Sequence, residues 1–298
     1  MSRLKRPRTT VEKRKNKMGS SSSSEVLNIT FFEEQQQNNP QFDFIQLLNS
    51  FGLYKLLKLN KKYNPNVIRL FYSNLKWYKD SKCVMSEVRG KPIVVSEAEV
   101  AKLLGVDTMG YKFDDLIHSL NKLGHYNSHT VCNFLLPEPQ EHILDTTNFA
   151  ASNFGFSNRV LHYIVQGCIT NKQGNHSYAS ASEQFVMYCI NTQDPFNLPH
   201  FILEKMQRIA RNTGLALSYA SLISLILEKQ GVDPLLRDGN DEKPDVIDET
   251  TLYNMRFEPY QGHWYAKQMT KAQKKARTQK EKAAGAQKAR EEETELDG

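Results

Sequence analysis

Apolar positions along the chain fall into short runs, and their spacing predicts more helix than strand. The clearest unit lies between Cys83 and Gly105. Two β-branched runs, Val84–Val88 and Ile93–Val95, flank Arg89-Gly90-Lys91-Pro92, which predicts a small hairpin. Ser96 follows with Glu99 three residues on, the spacing at which a serine oxygen and a glutamate carboxylate cap one helix start reciprocally. Val100, Leu103 and Leu104 then share one face, and Gly105 suits a left-handed stop.

The rest of the middle of the chain reads as helices. Phe42, Ile45, Leu48 and Leu56 predict a helix or helix pair broken near Gly52. Pro65 opens a second with Val67, Ile68, Phe71, Tyr72 and Leu75 inward, ending near Trp77. These aromatics, at helical spacing, read as core rather than as a base-stacking platform. Phe113–Leu123 predicts a short helix with Phe113, Leu116, Ile117 and Leu120 inward. Residues 124–157 read as irregular. Helices follow over Arg159–Ile169, from Ser180 (a second capping box with Glu183) through Ile190, from Leu198-Pro199 to Arg211, and over the nearly all-apolar Leu215–Leu227. The predicted fold class is mainly α: a multi-helix globular domain over 41–235 with one small β-hairpin. A disordered basic tail and polar linker occupy 1–40, an acidic linker 236–260, and a charged helical or disordered tail 261–298.

With 298 residues and 39% hydrophobic content, the chain can bury a core without disulfides. Its net charge of +6 is unevenly placed. Residues 1–24 carry eight Lys/Arg against one Glu, and residues 266–298 carry nine against six acids, which leaves about −4 for the body between them. A body of that sign argues against a broad nucleic-acid face and moves any such contact to the tails. Cys83, Cys132, Cys168 and Cys189 are widely spaced with no C-x-x-C pair, so they read as buried, reduced thiols. The N-terminal stretch lacks an apolar signal core and no run reaches membrane-spanning length, so an intracellular, membrane-free protein is expected.

The basic tail carries the candidate contact residues. Lys5-Arg6 and Lys13-Arg14-Lys15, with Arg8 and Lys17 beside them, resemble a bipartite nuclear-import signal. The same charges equally describe a solubilising or loosely RNA-attracted tail. A nuclear location, with the cytoplasm as alternative, follows from the first reading.

Catalytic signatures are missing. The sequence holds no G-x-x-x-x-G-K-[ST], G-x-G-x-x-G, H-E-x-x-H or G-x-S-x-G. His125 and His129 lack a third ligand at useful spacing, and a His162–Cys168 dyad needs a bent helix. Asp107, Asp114, Asp145, Asp194 and Glu204 could be combined into a nuclease-type acidic cluster, but nothing fixes which would converge. No catalytic, metal or cofactor site, and no small-molecule substrate, is expected.

The order of motifs in the middle of the chain resembles the putative plant transposon protein domain family. The resemblance runs through VIRLFYSNL at 67–75, Glu87–Gly90 with its Val/Ile flanks, VSEAEVAKLLG at 95–105, Asn158–Val165, Phe185–Ile190, Pro199–Ile209, and Ser221-Leu222-Ile223 followed by Gly231-Val232. It covers about 65–235 and implies a mostly helical domain with no catalytic residues to carry over. The function expected is a non-enzymatic interaction or scaffold module of transposon origin, its partner protein unspecified, with weak nucleic-acid affinity through the tails. Alternatives are a capsid-type, self-associating RNA-packaging protein and a degenerate transposase or nuclease.

Overall fold

The computed structural model describes residues 25–279 apart from 79–81, 115, 125, 142–145, 147, 173–175, 213, 237–238, 272 and 277. The chain opens with strand β1 (Glu25–Leu27) and helix α1 (Ile29–Asn38), whose start is capped by the Asn28 side chain accepting from Phe31 N. A 3-10 turn (Pro40–Phe42) leads to α2 (Phe44–Ser50), α3 (Tyr54–Leu57) and α4 (Pro65–Ser73). Phe32 and Phe42 are fully buried, so the stretch read as a polar linker is part of the packed body.

After α4 come β2 (Lys76–Tyr78), β3 (Cys83–Val88) and β4 (Lys91–Ser96), a three-stranded antiparallel sheet. The hairpin is where its β-branched runs predict, with Ser86 paired to Ile93 and Val84 to Val95. Helix α5 (Glu97–Leu104) follows immediately, both arms of its capping box are made, and Gly105 takes the left-handed conformation at φ 67°. Trp77 lies in β2 rather than at a helix end.

Between 106 and 157 the chain forms α6 (Ile117–Leu120), α7 (Ser128–Leu135) and β5 (Asn148–Ala150). The helix predicted over 113–123 shrinks to one turn. The Asp114 carboxylate accepts from Leu116 N at 2.8 Å and holds the preceding residues in a turn instead, leaving Leu116 exposed. Helix α8 (Phe156–Ile164) runs into a π-helical turn over Val165–Ile169, followed by β6 (Tyr178–Ser180), α9 (Ala181–Thr192), α10 (Leu198–Arg211) and α11 (Ala220–Lys229). Leu222, Ile223, Ile226 and Leu227 of α11 are buried, as the all-apolar run requires.

The expectation of a mainly α fold with one hairpin is overturned here. Among the described residues, four small sheets stand among the helices, a mixed α/β architecture. Beyond α11 come β7 (Asp245–Ile247), α12 (Glu249–Asn254), β8 (Phe257–Tyr260) and β9 (His263–Ala266). β1 pairs in parallel with β7, β5 with β6 antiparallel, and β8 with β9 antiparallel. Ile247, Leu252, Phe257 and Trp264 join the hydrophobic core, so the acidic run at 236–250 leads into packed structure. The helical residues described between 271 and 279 lie on the β8–β9 hairpin through a Lys274–Glu258 ion pair and a Tyr265–Thr278 hydroxyl contact of 2.6 Å.

Candidate functional site

A buried carboxylate organises the polar interior. Helix α9 starts at Ser180, whose hydroxyl accepts from Glu183 N at 3.4 Å while Ser180 N donates to Glu183 Oε2 at 2.7 Å. A capping box of this kind normally sits at the surface. Here Ser182, Glu183 and Gln184 of the first turn of α9 are all buried.

An ionised group so placed needs partners. They come from α8 and its π-helical continuation. His162, Gln166 and Thr170 recur at four-residue spacing, and all three side chains are buried facing α9. Gln166 Nε2 donates to Glu183 Oε1 at 3.4 Å and Thr170 Oγ1 to the same oxygen at 3.5 Å. Lys172 Nζ reaches Oε2 at 3.5 Å, and His162 Nε2 stops 3.6 Å from it, just outside hydrogen-bond length. Burial works to raise the Glu183 pKa, but the neighbouring His162, the Lys172 cation and the Ser180 backbone N–H outweigh it and hold the group at about 2.

Two cavities flank this cluster. One, of about 460 Å³, is walled by Glu183, Lys172 and the polar side of α10, with Lys205 and Arg208 three residues apart. The other, of about 450 Å³, is lined by Arg159, His162, Tyr163 and His176. There the His176 ring stacks on Tyr163 with centroids 4.4 Å apart, and burial together with the neighbouring His162 lowers the His176 pKa. The Arg159 guanidinium lies 5.1 Å from the centre of the Phe257 ring.

The residues singled out from sequence fare differently. Lys5, Arg6, Arg8, Lys13, Arg14, Lys15 and Lys17 lie outside the described residues, as do His125 and Asp145. His129 is exposed on α7. His162 and Cys168 form no dyad: His162 faces Glu183, while the Cys168 thiol donates to Glu25 O at 3.4 Å. The four cysteines are free and buried, and burial pushes the Cys132 thiol up to about 11. Asp107 and Asp194 serve local turns, accepting from Met109 N and Thr192 Oγ1. Among the described residues, no three His, Cys, Asp or Glu side chains group so that they could hold a metal ion.

Sequence reasoning missed the cationic cavity. Lys205-x-x-Arg208 reads as the ordinary wet side of an amphipathic helix, and only the fold brings Lys172 to it.

Comparison with known proteins adds one match. A family model described as "Putative plant retrotransposon-related domain" matches residues 49–233, which takes in Glu183, its partners and the cationic cavity. No curated protein matches, and no solved structure does.

Proposed function

Since the chain belongs to the putative plant retrotransposon-related domain family, we propose that it acts as a non-enzymatic binding module of an element-derived protein, its folded body engaging a partner and its basic N-terminal segment adding affinity for nucleic acid. The observation that supports binding over chemistry is the state of Glu183. Both carboxylate oxygens are engaged by Ser180, Gln166, Thr170 and Lys172, and a group held at about pH 2 is a poor proton carrier at neutrality. The buried cysteines point the same way, because a thiol raised to about 11 supplies little thiolate.

The nucleic-acid part of the reading comes from charge placement. Eight Lys/Arg against one Glu in residues 1–24 make a compact positive segment ahead of a mildly acidic body. Contacts of that kind are to phosphate, carry no base specificity and weaken with salt. The same clusters suit the acidic groove of an import receptor, which supports a nuclear location as part of this reading.

The test replaces Lys5, Arg6, Arg8, Lys13, Arg14, Lys15 and Lys17 together with Gln in the full chain. Anisotropy with single-stranded RNA is expected to fall, and the slope of log affinity on log salt to flatten by about 0.7 per lost phosphate contact. A fluorescent fusion with the same changes is expected to leave the nucleus. Unchanged RNA affinity and unchanged nuclear accumulation would remove this reading. Saturable, concentration-dependent assembly of the intact chain with RNA would replace it with the packaging alternative.

A further inference from the structure

We propose that the cavity between α8 and α12 is a binding site for a small organic carboxylate, a property of the folded body that stands whether or not the N-terminal segment binds RNA. Its volume of about 450 Å³ is within the range of small-ligand sites. One wall comes from α8, through Arg159, His162 and Tyr163. The other comes from α12 and the residue after it, through Thr251, Asn254 and Met255. The two walls are distant in sequence, and only the folded body brings them together.

Among the described residues that line this space, Arg159 is the one Lys, Arg, Asp or Glu. Its half-buried guanidinium pairs with no carboxylate of a described residue. It lies over the Phe257 ring, and the charge acting on it is that of Arg256, another cation. Burial and that like charge both lower its pKa, so an anion beside it would be favoured. The ring takes the flat face of the guanidinium and leaves the N–H edge, the side that can hold both oxygens of a carboxylate at once. Glu183 does not fill this role, because its oxygens are engaged by Ser180, Gln166, Thr170 and Lys172.

The neutral groups of the wall supply donors. His176 forms no hydrogen bond through either ring nitrogen. Its Nδ1 is buried, so Nε2 is the nitrogen a ligand can reach, and a ring with its proton there offers that ligand a donor. Thr251 Oγ1 accepts from Asp248 N at 3.2 Å and keeps its own proton to donate. At the exposed rim, the side chains of Ser152 and Asn254 make no hydrogen bond within the fold. One guanidinium matches one negative charge, which favours a carboxylate over a phosphate dianion. Ala151, Met255 and the Tyr163 ring give the rest of the wall an apolar character that suits a carbon body.

The experiment is calorimetric titration of the full chain with benzoate, acetate, benzyl alcohol and phenyl phosphate. Saturable binding of benzoate is expected, with acetate weaker, phenyl phosphate no tighter and benzyl alcohol not bound. Arg159→Gln is expected to weaken benzoate about tenfold, the usual scale for one charge-assisted contact. Arg159→Lys, which keeps the charge and loses the fork, is expected to weaken it less. Asn254→Ala is expected to weaken benzoate about threefold, the scale of one neutral hydrogen bond. Asn254 is exposed, so its variant is expected to keep the wild-type melting temperature and decides the matter should Arg159→Gln unfold on losing Phe257. Replacement of the seven N-terminal cations is expected to leave benzoate binding unchanged. Benzoate binding unaffected by Asn254→Ala or by a folded Arg159→Gln variant would overturn the proposal. So would benzyl alcohol or acetate binding as tightly as benzoate, phenyl phosphate binding more than about tenfold tighter, loss of binding with the seven N-terminal changes, or no saturation in the millimolar range.

Discussion

His162 Nε2 stands 3.6 Å from Glu183 Oε2, and the two side chains keep 2% and 1% of their surface open to solvent. Buried pairs of this kind are weak evidence of net stabilisation, yet breaking one from a single side is costly because the partner stays behind. Glu183 also caps α9, so two substitutions separate its roles. Glu183→Gln keeps a side chain able to cap but removes the charge facing Lys172, whereas Glu183→Ala removes both. The alanine variant is expected to be the less stable, with the charge loss alone costing about 3 kcal/mol. The pH sign follows from the depressed pKa. The folded carboxyl titrates near 2 against an ordinary 4.5, so its contribution is complete above about 4.5 and drains away as pH falls towards about 2. Denaturant unfolding across that window checks it. A wild type and a Glu183→Gln variant that lose stability in parallel would show that the carboxylate is not the source.

Glu25 behaves in the opposite sense, and Gly167 is the reason it can. A Cβ on Gly167 would lie 1.9 Å from Glu25 Oε2, so only glycine in the π-helical turn lets that carboxyl lie against it. Burial first, and the facing Asp245 of β7 second, raise the Glu25 pKa to about 7. The folded state therefore keeps a proton that the unfolded chain releases at the ordinary 4.5, and stability falls with rising pH between about 4.5 and 7. Glu25→Gln is expected to stabilise the protein above neutrality by ~1–2 kcal/mol, after allowance for partial solvent screening, and to flatten that slope. Gly167→Ala is expected to destabilise by turning Glu25 away from the turn. Chemical unfolding in matched buffers reads both. An unchanged slope in Glu25→Gln would reject the assignment.

What was legible in the sequence was local. Ser96 and Glu99, Ser180 and Glu183, and Gly105 each carry their meaning within three or four residues, and all five do what their spacing implies. The helices with one apolar face were legible for the same reason: Val67, Ile68, Phe71 and Tyr72 are core, as their period requires. Beyond the β3–β4 hairpin, the sheets were not. β1 and β7 are three residues each, too short for an alternation to register, and each becomes a strand only by pairing with the other some 220 residues away in the chain. β2 fails in sequence because Trp77 continues the apolar pattern of α4, and its identity as a strand comes from pairing with Val84. The cationic cavity was hidden because helical period distinguishes inside from outside but does not say which polar face a neighbouring element will cover. Lys205 looks wet in α10 and is buried only because the chain around it folds over.

That dependence on distant partners yields a last expectation, about where the folding unit ends. The family match spans 49–233, but the core does not stop there. Phe156 of α8 packs edge-on against Phe42 at 5.3 Å and Phe257 at 4.8 Å, and it stacks on Trp264 at 6.4 Å. Gln41 ties the two outer segments together, accepting from Trp264 N at 2.7 Å and donating to Trp264 O at 3.2 Å. A fragment of residues 49–233 would lack Phe42, Phe257 and Trp264, leaving Phe156 with an open apolar face. It would also leave the cysteine-bearing π-helical turn without β1. Such a fragment is expected to melt without a cooperative transition or to aggregate, while residues 25–279 melt as sharply as the whole chain. Within the full chain, Trp264→Ala is expected to cost ~3–5 kcal/mol, the usual range for a large aromatic removed from a packed site. Calorimetry on the two fragments decides the matter. A cooperative transition for 49–233 at the full-length melting temperature would mean that the outer segments decorate the core instead of completing it.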